Sequence, residues 1–301
     1  MAELADFVRW NNVPQITSFV PTSHNDTYPF ITPTGSELTG KTVVITGASK
    51  GIGLATAIRL VKAGCSRIAI AARSSLDEAV KELKSEAQRS NLSPPIILPL
   101  TVDVTSDEAV RAAAHSVEEV FGKIDILINN AGYMPKFQRM GETDPLEWWQ
   151  GFEVNVKGTF LCANYFFPLL LRSQTKIMVN LTSVGAHTLT LGGSSYMVSR
   201  FANCRVNEFL ARDYEEEGLV AISLHPGGVA TDMRANFPER LHAGLQDDVN
   251  LSADTIVWLV KERREWLNGR YVSGPWDMEE LEARKKEILE RDLLKFRMTI
   301  R

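Results

Sequence analysis

With 301 residues, 44% of them hydrophobic and 23% charged, the chain has the make-up of a soluble globular protein large enough for one sizeable α/β domain. A net charge of -4, dispersed along the chain, offers no basic patch for nucleic acid or an anionic membrane, and no stretch approaches the ~18 apolar residues of a membrane span. The three cysteines, Cys65, Cys162 and Cys204, are odd in number, widely spaced and set in apolar helical patterns, which predicts free buried thiols in a reducing compartment rather than a disulfide or zinc framework.

The first residues show no basic segment followed by an apolar run, so a cytoplasmic location is expected, and the N-x-S/T matches at Asn25, Asn91, Asn180 and Asn250 are then fortuitous. Residues 1–38 carry Pro14, Pro21, Pro29 and Pro33 without sustained periodicity and read as an extended arm. Its aromatic residues Phe7, Trp10, Phe19, Tyr28 and Phe30 predict that the arm is packed down. From Lys41 a β-branched run, T-V-V-I-T, leads into Gly47, Gly51 and Gly53 and then a helical pattern through Ala63, which is the start of a βαβ unit. The alternation repeats: strand 67–72, helix 75–90, strand 96–102, helix 106–121, strand 124–129, helix 143–171 with a break near Asn155, strand 176–181, helix 194–217 and strand 220–225. A helix near 252–264 and a short strand at 270–273 follow. Nearly all-apolar strands between helices predict a doubly wound parallel sheet of Rossmann type, helices on both faces, forming one domain over 39–275. Residues 276–301 read as a helical extension in which 277–296 is an exposed helix, with Leu281, Ile288 and Leu289 as a narrow apolar stripe among charge pairs.

The loop T-G-A-S-K-G-I-G, from Thr46 to Gly53, brings Gly47, Ser49, Lys50, Gly51, Ile52 and Gly53 between a strand and a helix N-terminus. That context suits a pyrophosphate cradle. At the end of the second strand, where an acid would select the free ribose of NAD, the chain has Arg73 and Ser74. With Lys50 they favour the 2′-phosphate of NADP(H). Further on, Tyr196 and Arg200 lie one helical turn apart and Ser183 ends the preceding strand, so a phenol, a guanidinium and a hydroxyl can address one small volume.

These motifs in this order resemble the short-chain dehydrogenase/reductase family: T-G-A-S-K-G-I-G at 46–53, D-V-T at 103–105, N-N-A-G at 129–132, Asn155 in E-V-N-V-K-G, Ser183, Tyr196 thirteen residues later, and P-G-G-V-A-T at 226–231. The resemblance implies that Asp103 and Val104 contact the adenine, and that Asn130 and Gly132 line the cofactor cleft. It further implies that Val229 and Thr231 hold the nicotinamide carboxamide, and that Lys157 lies near the cofactor. It implies Tyr196 as the general acid or base, Ser183 as the donor to the substrate oxygen, and Asn155 as the anchor of a water linking the cation to solvent. A free phenol ionises near pH ~10, so a neighbouring cation is needed to favour the phenolate. The family has a lysine four residues after the tyrosine; here it is Arg200, which supplies the charge but is planar, bulkier and never deprotonated.

Three readings stay open: an NADP(H)-dependent ketone/secondary-alcohol oxidoreductase, a pocket doing dehydration, isomerisation or cyclisation on the same fold, and a nucleotide-binding partner without catalysis. Segments 133–142, 185–194 and 232–250 are expected to border the substrate, and their Tyr133, Met134, Phe137, Met233 and Phe237 suggest an apolar small molecule. His187 is expected at the polar rim, His225 to be structural, and Trp148, Trp149 and Phe152 to pack or make a subunit contact. No metal-ligand spacing is present. The two extensions resemble those of fungal family members, many of them in secondary metabolism, and the family's habit of pairing through helices implies a homodimer or homotetramer.

Overall fold

Seven β-branched, apolar segments pair as one wholly parallel sheet in the order β3-β2-β1-β4-β5-β6-β7 in the computed structural model, which describes residues 18–298. The strands are β1 Thr42–Thr46, β2 Arg67–Ala72, β3 Ile96–Thr101, β4 Ile126–Asn129, β5 Ile177–Leu181, β6 Val220–His225 and β7 Arg270–Ser273. Between them run α1 Gly51–Lys62, α2 Asp77–Arg89, α3 Asp107–Phe121, α4 Pro145–Phe152, α5 Thr159–Leu171, α6 Ser194–Asp213 and α7 Val249–Val260. This is the doubly wound fold expected from the alternating pattern.

Successive residues of a strand point to opposite faces, and two cores result. Val43 and Ile45 of β1 meet Leu60 of α1, Leu83 of α2 and Trp258 of α7 on one face. Val44 and Leu127 meet Val110 and Val117 of α3 and Phe166 of α5 on the other. The strand order reverses between β1 and β4, the point at which an open α/β sheet forms a crevice beyond the carboxyl ends of its strands. Cys65, Cys162 and Cys204 are free and buried in these cores, and burial pushes the first two thiols up to about 12 and the third to about 11.

Three elements differ from the sequence expectation. The helix predicted over 143–171 does not break at Asn155; it winds through a π turn, Glu153–Gly158, between α4 and α5. The Thr159 hydroxyl takes up the Asn155 carbonyl at 2.9 Å, and a Cβ on Gly158 would stand 2.7 Å from Val104, so the extra residue fits the helix to the β3–α3 loop. The C-terminal segment is two short helices, α8 Met278–Ala283 and α9 Lys285–Glu290. Met278, Leu281 and Ile288 are fully buried, leaving Leu289 exposed. At the interruption Arg284 turns to the arm: its guanidinium lies over the Phe19 ring, 3.8 Å from the centroid, and donates to the Phe19 carbonyl.

The arm is held along its described length. Val20, Ile31 and Leu38 enter the core, and Phe19 packs on Trp276 with ring centroids 5.3 Å apart. Ser23 forms an antiparallel bridge with Trp276, and His24 bonds Asp277 at 2.8 Å. Phe7 and Trp10 lie outside the described residues. Finally, α7 opens at Val249 rather than near 252, because the Asp248 carboxylate caps it by accepting from the Asn250 N–H at 2.7 Å.

Candidate active site

The crevice at the strand-order reversal is one continuous cavity of about 1310 Å³, more than the roughly 300–1,000 Å³ of an ordinary ligand pocket. Its floor is the loop between β1 and α1. Gly47 and Gly51 take positive φ angles of 67° and 56°, and a Cβ on Gly53 would stand 2.2 Å from the Gly47 carbonyl, so the turn closes only with glycine there. Asn130 locks it: its Nδ2 donates to the Thr46 and Gly47 carbonyls at 2.8 and 3.0 Å. A Cβ added at Gly51 would come within 3.3 Å of Thr231 on the far wall, so the unfilled glycine face and the P-G-G-V-A-T loop bound the same narrow space. The residues present fit a dinucleotide: a helix N-terminus, a backbone cradle and a second wall in reach.

At one end of this floor Ser49, Lys50, Arg73, Ser74, Asp103 and Val104 line the cavity. The Ser74 hydroxyl donates to Ser49 at 2.9 Å, and the Arg73 side chain is 65% exposed, 3.9 Å from Asp103. Partial burial pushes the Asp103 carboxyl up, but the Thr105 N–H and hydroxyl, with Arg73 and Lys157 nearby, hold it below the usual carboxylate range. Lys50 spans the mouth to Asp232 at 2.5 Å, an exposed pair. Lys157 does not line the cavity; it turns outward to Glu153 at 2.8 Å.

At the other end the strand β5 and the helix α6 deliver the polar triad. Ser183 follows β5 and its Oγ accepts from the Gly185 N–H at 3.0 Å. A Cβ on Gly185 would lie 3.3 Å from that Oγ and 3.6 Å from Tyr196 Cε1, so serine and tyrosine flank one glycine and face the cavity together. Arg200 is only 4% exposed, with its Cζ 5.1 Å from the Tyr196 ring centroid. Its Nη1 donates to the Leu181 carbonyl at 2.9 Å, its Nε has no partner, and Nη2 sits 2.2 Å from where a Gly132 Cβ would be. No carboxylate pairs with it among the described residues. The guanidinium therefore places an uncompensated positive charge on the cavity wall.

Asn155 lies close behind the cation: the Gly132 Cβ position that is 2.2 Å from Arg200 Nη2 is 3.4 Å from Asn155 Oδ1. It is fully buried behind this wall and does not line the cavity. Its Oδ1 accepts from the Tyr133 N–H, and its Nδ2 donates to the Tyr133 carbonyl and the Ser199 hydroxyl, each at 2.9 Å. With its carbonyl taken by Thr159, it braces the N-N-A-G loop against α6.

Beyond the triad the walls turn apolar. Met134, Phe137, Met233 and Phe237 line this part, and Phe137 meets Phe237 edge-on with ring centroids 5.5 Å apart, closing a roof. Tyr133 does not join them; its hydroxyl donates to Glu147 at 2.6 Å, away from the cavity. Met197 and Leu241 also line the pocket and were not singled out in the sequence; Met197 was legible as the neighbour of Tyr196, whereas Leu241 sits in a 3-10 turn with no periodic signal. His187 is not at the rim: it lies between Tyr271 and Phe296, ring centroids 4.4 and 4.6 Å away, and burial pushes its imidazole down to about 4. Burial pushes His225 down to about 3. Trp148, Trp149 and Phe152 pack on one another, and the Trp148 indole donates to Ser194 at 3.0 Å, tying α4 to the start of α6.

A glycine cradle at the switch point of a parallel sheet, opening into a pocket with a serine–tyrosine pair, defines an α/β protein of the dinucleotide-binding class. The short chain dehydrogenase family model matches residues 41–242, and the chain belongs to that family of oxidoreductases, which use nicotinamide cofactors. Among curated relatives it is 44% identical over 283 residues to the short chain dehydrogenase mpl6 of Monascus purpureus, covering 94% of this chain and 97% of that one. It is 37% identical over 288 residues to the short chain dehydrogenase andI of Emericella variicolor, covering 96% and 99%. Among solved structures, a short chain dehydrogenase from Salmonella enterica serovar Typhi shares the fold with a TM-score of 0.71 at 24% identity, covering 80% of this chain and 98% of that one.

Proposed function

We propose that the protein is an NADP(H)-dependent oxidoreductase that interconverts a ketone and a secondary alcohol on a mainly apolar small molecule. The observation that carries this reading is that Ser183, Tyr196 and Arg200 line the same cavity as the glycine loop. The residues that would hold the cofactor are the Gly47–Gly53 loop for the pyrophosphate, Asp103 and Val104 for the adenine, Asn130 and Gly132 in the cleft, and Val229 and Thr231 for the carboxamide. Arg73, Ser74 and Lys50 would take a 2′-phosphate. When bound, the nicotinamide supplies or accepts the hydride.

The chain's own part is proton and charge handling. The Tyr196 hydroxyl donates to the substrate carbonyl oxygen in reduction and takes the proton back in oxidation, while Ser183 donates a hydrogen bond to the same oxygen. Arg200 attracts the negative charge that develops on the phenol oxygen and, being fixed to Leu181, needs no reorganisation to do so. The roof of Phe137 and Phe237 with the flanking methionines excludes water and favours an apolar substrate. Fungal relatives and the packed extensions support a place in secondary metabolism. Three buried thiols support a cytoplasmic location. The half-exposed Phe160, Phe201 and Phe209 on α5 and α6 support a homodimer or homotetramer.

The test is a panel of apolar ketones, monitoring loss of NADPH absorbance against NADH, with Tyr196→Phe as the inactive control. A second reading has its own support: the cation beside Tyr196 is a planar guanidinium fixed to the Leu181 carbonyl rather than a compact ammonium, an arrangement suited to polarising a substrate without redox turnover. Product formation with no NADPH consumed would favour it.

A further inference from the structure

After β6 the chain leaves the sheet at Gly227, passes Val229, Thr231, Met233 and Phe237, and returns at Asp247 to enter α7. The two ends of this excursion lie side by side and form a neck. The Gly228 N–H donates to the Asp247 carboxylate at 2.6 Å, the Asp247 N–H donates to the Gly228 carbonyl at 3.0 Å, and Val229 and Asp247 make a parallel bridge. The fit is close: Gly227 has a φ of 107°, and a Cβ on it would stand 2.7 Å from Asp247 Oδ2.

The neck is closed from outside by the arm. Asn25 Nδ2 donates to the other Asp247 oxygen at 2.6 Å, and the Asn25 carbonyl accepts from the Asp248 N–H at 2.7 Å, so one arm residue grips both returning residues. Its neighbours are anchored to the body rather than to the excursion: Thr27 donates to Asp254 on α7 at 2.5 Å, and Ser23 is bridged to Trp276. Asn25 is itself exposed and buries no apolar surface. Neither Asn25 nor Asp247 falls within residues 41–242, the stretch that matches the family model.

We propose that Asn25 is a positioning residue: through Asp247 it holds Gly228 in place, and thereby sets Val229 and Thr231, the wall that would receive the nicotinamide. The inference rests on the cofactor assignment made above. The reason is mechanical. A segment whose ends are pinned moves only as its interior bends, whereas a segment with an open neck swings as a unit and loses the wall. A bidentate carboxylate between an amide N–H and an amide NH₂ is the charge-assisted kind of hydrogen bonding that holds such a joint. The fold itself does not depend on it, because the apolar contacts of the arm lie elsewhere.

The experiment uses the full chain and compares Asn25→Ala with Thr22→Val, which removes an arm hydroxyl bond to Glu280 without touching the neck. Amide hydrogen exchange of the ligand-free proteins is expected to speed up across 227–248 in Asn25→Ala alone. Affinity for NADPH is expected to fall about tenfold, the effect of one hydrogen bond to a charged group, while affinity for 2′-phospho-ADP-ribose, which lacks the nicotinamide, stays at the wild-type value. Unchanged exchange at 227–248 overturns the proposal, as does an equal loss for both ligands. If the wild type binds neither ligand, the cofactor assignment falls by itself, and the exchange result alone decides whether Asn25 holds the neck.

Discussion

Replacing Arg200 by methionine separates what its charge does for chemistry from what its bulk does for the fold. The guanidinium carbon is 5.1 Å from the Tyr196 ring centroid. The phenol oxygen lies beyond the centroid, and at an effective dielectric of ~20 unit charges roughly 5–8 Å apart attract by about 2–3 kcal/mol, which corresponds to roughly one and a half to two orders of magnitude in rate if that oxygen carries full negative charge at the barrier. The stability effect should run the other way. Arg200 is buried with no carboxylate partner among the described residues and with Nε unpaired, and the Leu181 carbonyl it caps also accepts from Asn203 at 3.2 Å. Loss of the charge removes a desolvation cost and orphans nothing. Arg200→Met is therefore expected to unfold at the wild-type temperature or above it while kcat for ketone reduction at saturating NADPH falls roughly thirty- to a hundredfold. Arg200→Lys, which keeps a charge at a shorter reach, should stay within about tenfold of wild type. A methionine variant turning over within about threefold of wild type would refute the electrostatic role.

Gly132→Ala should reproduce much of the Arg200→Met loss without altering a polar group, because the new Cβ would lie 2.2 Å from Arg200 Nη2 and must push the guanidinium aside. The double variant should be no slower than either single one, and additive losses would mean that the two sites act separately. Arg73→Ala is expected to lower kcat/KM for NADPH at least about tenfold and leave NADH nearly unaffected, since a 2′-phosphate is the only difference between them; equal losses would sink the 2′-phosphate assignment. His187 is held neutral by burial, with its imidazole pushed from 6.5 down to about 4. The unfolded chain therefore binds the extra proton between those values, and stability drains away as pH falls through that window, by about 1.4 kcal/mol per pH unit. His187→Phe, which can keep the stack on Phe296, should remove its share of that slope in the urea midpoint against pH and leave the share of His225, whose imidazole burial also pushes down; an unchanged slope would exclude His187 as a source.

Legibility in the sequence followed the range of the interaction responsible. Arg67–Ala72, Val220–His225 and Arg270–Ser273 emerged as strands at the positions expected, because runs of β-branched and apolar residues between helical patterns carry their own signal. The π turn at Glu153–Gly158 had no such signal; it arises where Gly158 meets Val104, a residue of another segment. The stripe of Leu281, Ile288 and Leu289 showed an amphipathic segment, yet periodicity could not say what covers it. Two of the three are buried by the body of the protein, and Arg284 turns toward Phe19 of the arm. Tyr133 and His187 misled for a related reason: position in a loop near the pocket does not set the direction of a side chain, and Glu147 and Phe296 do.

The sequence by itself determined the alternation of strands and helices, the glycines of the β1–α1 turn and the order of motifs that marks the family, since each is written in local composition or in spacing along the chain. Only the tertiary structure decided that Asn155 braces the loop at Tyr133, that Arg200 stands buried beside Gly132 with no acid paired to it among the described residues, and that Asn25 reaches Asp247 from more than two hundred residues away. Those are matters of which surfaces meet, and the free energy that selects them comes from burying apolar area and satisfying polar groups across the whole domain, which no local window of residues contains.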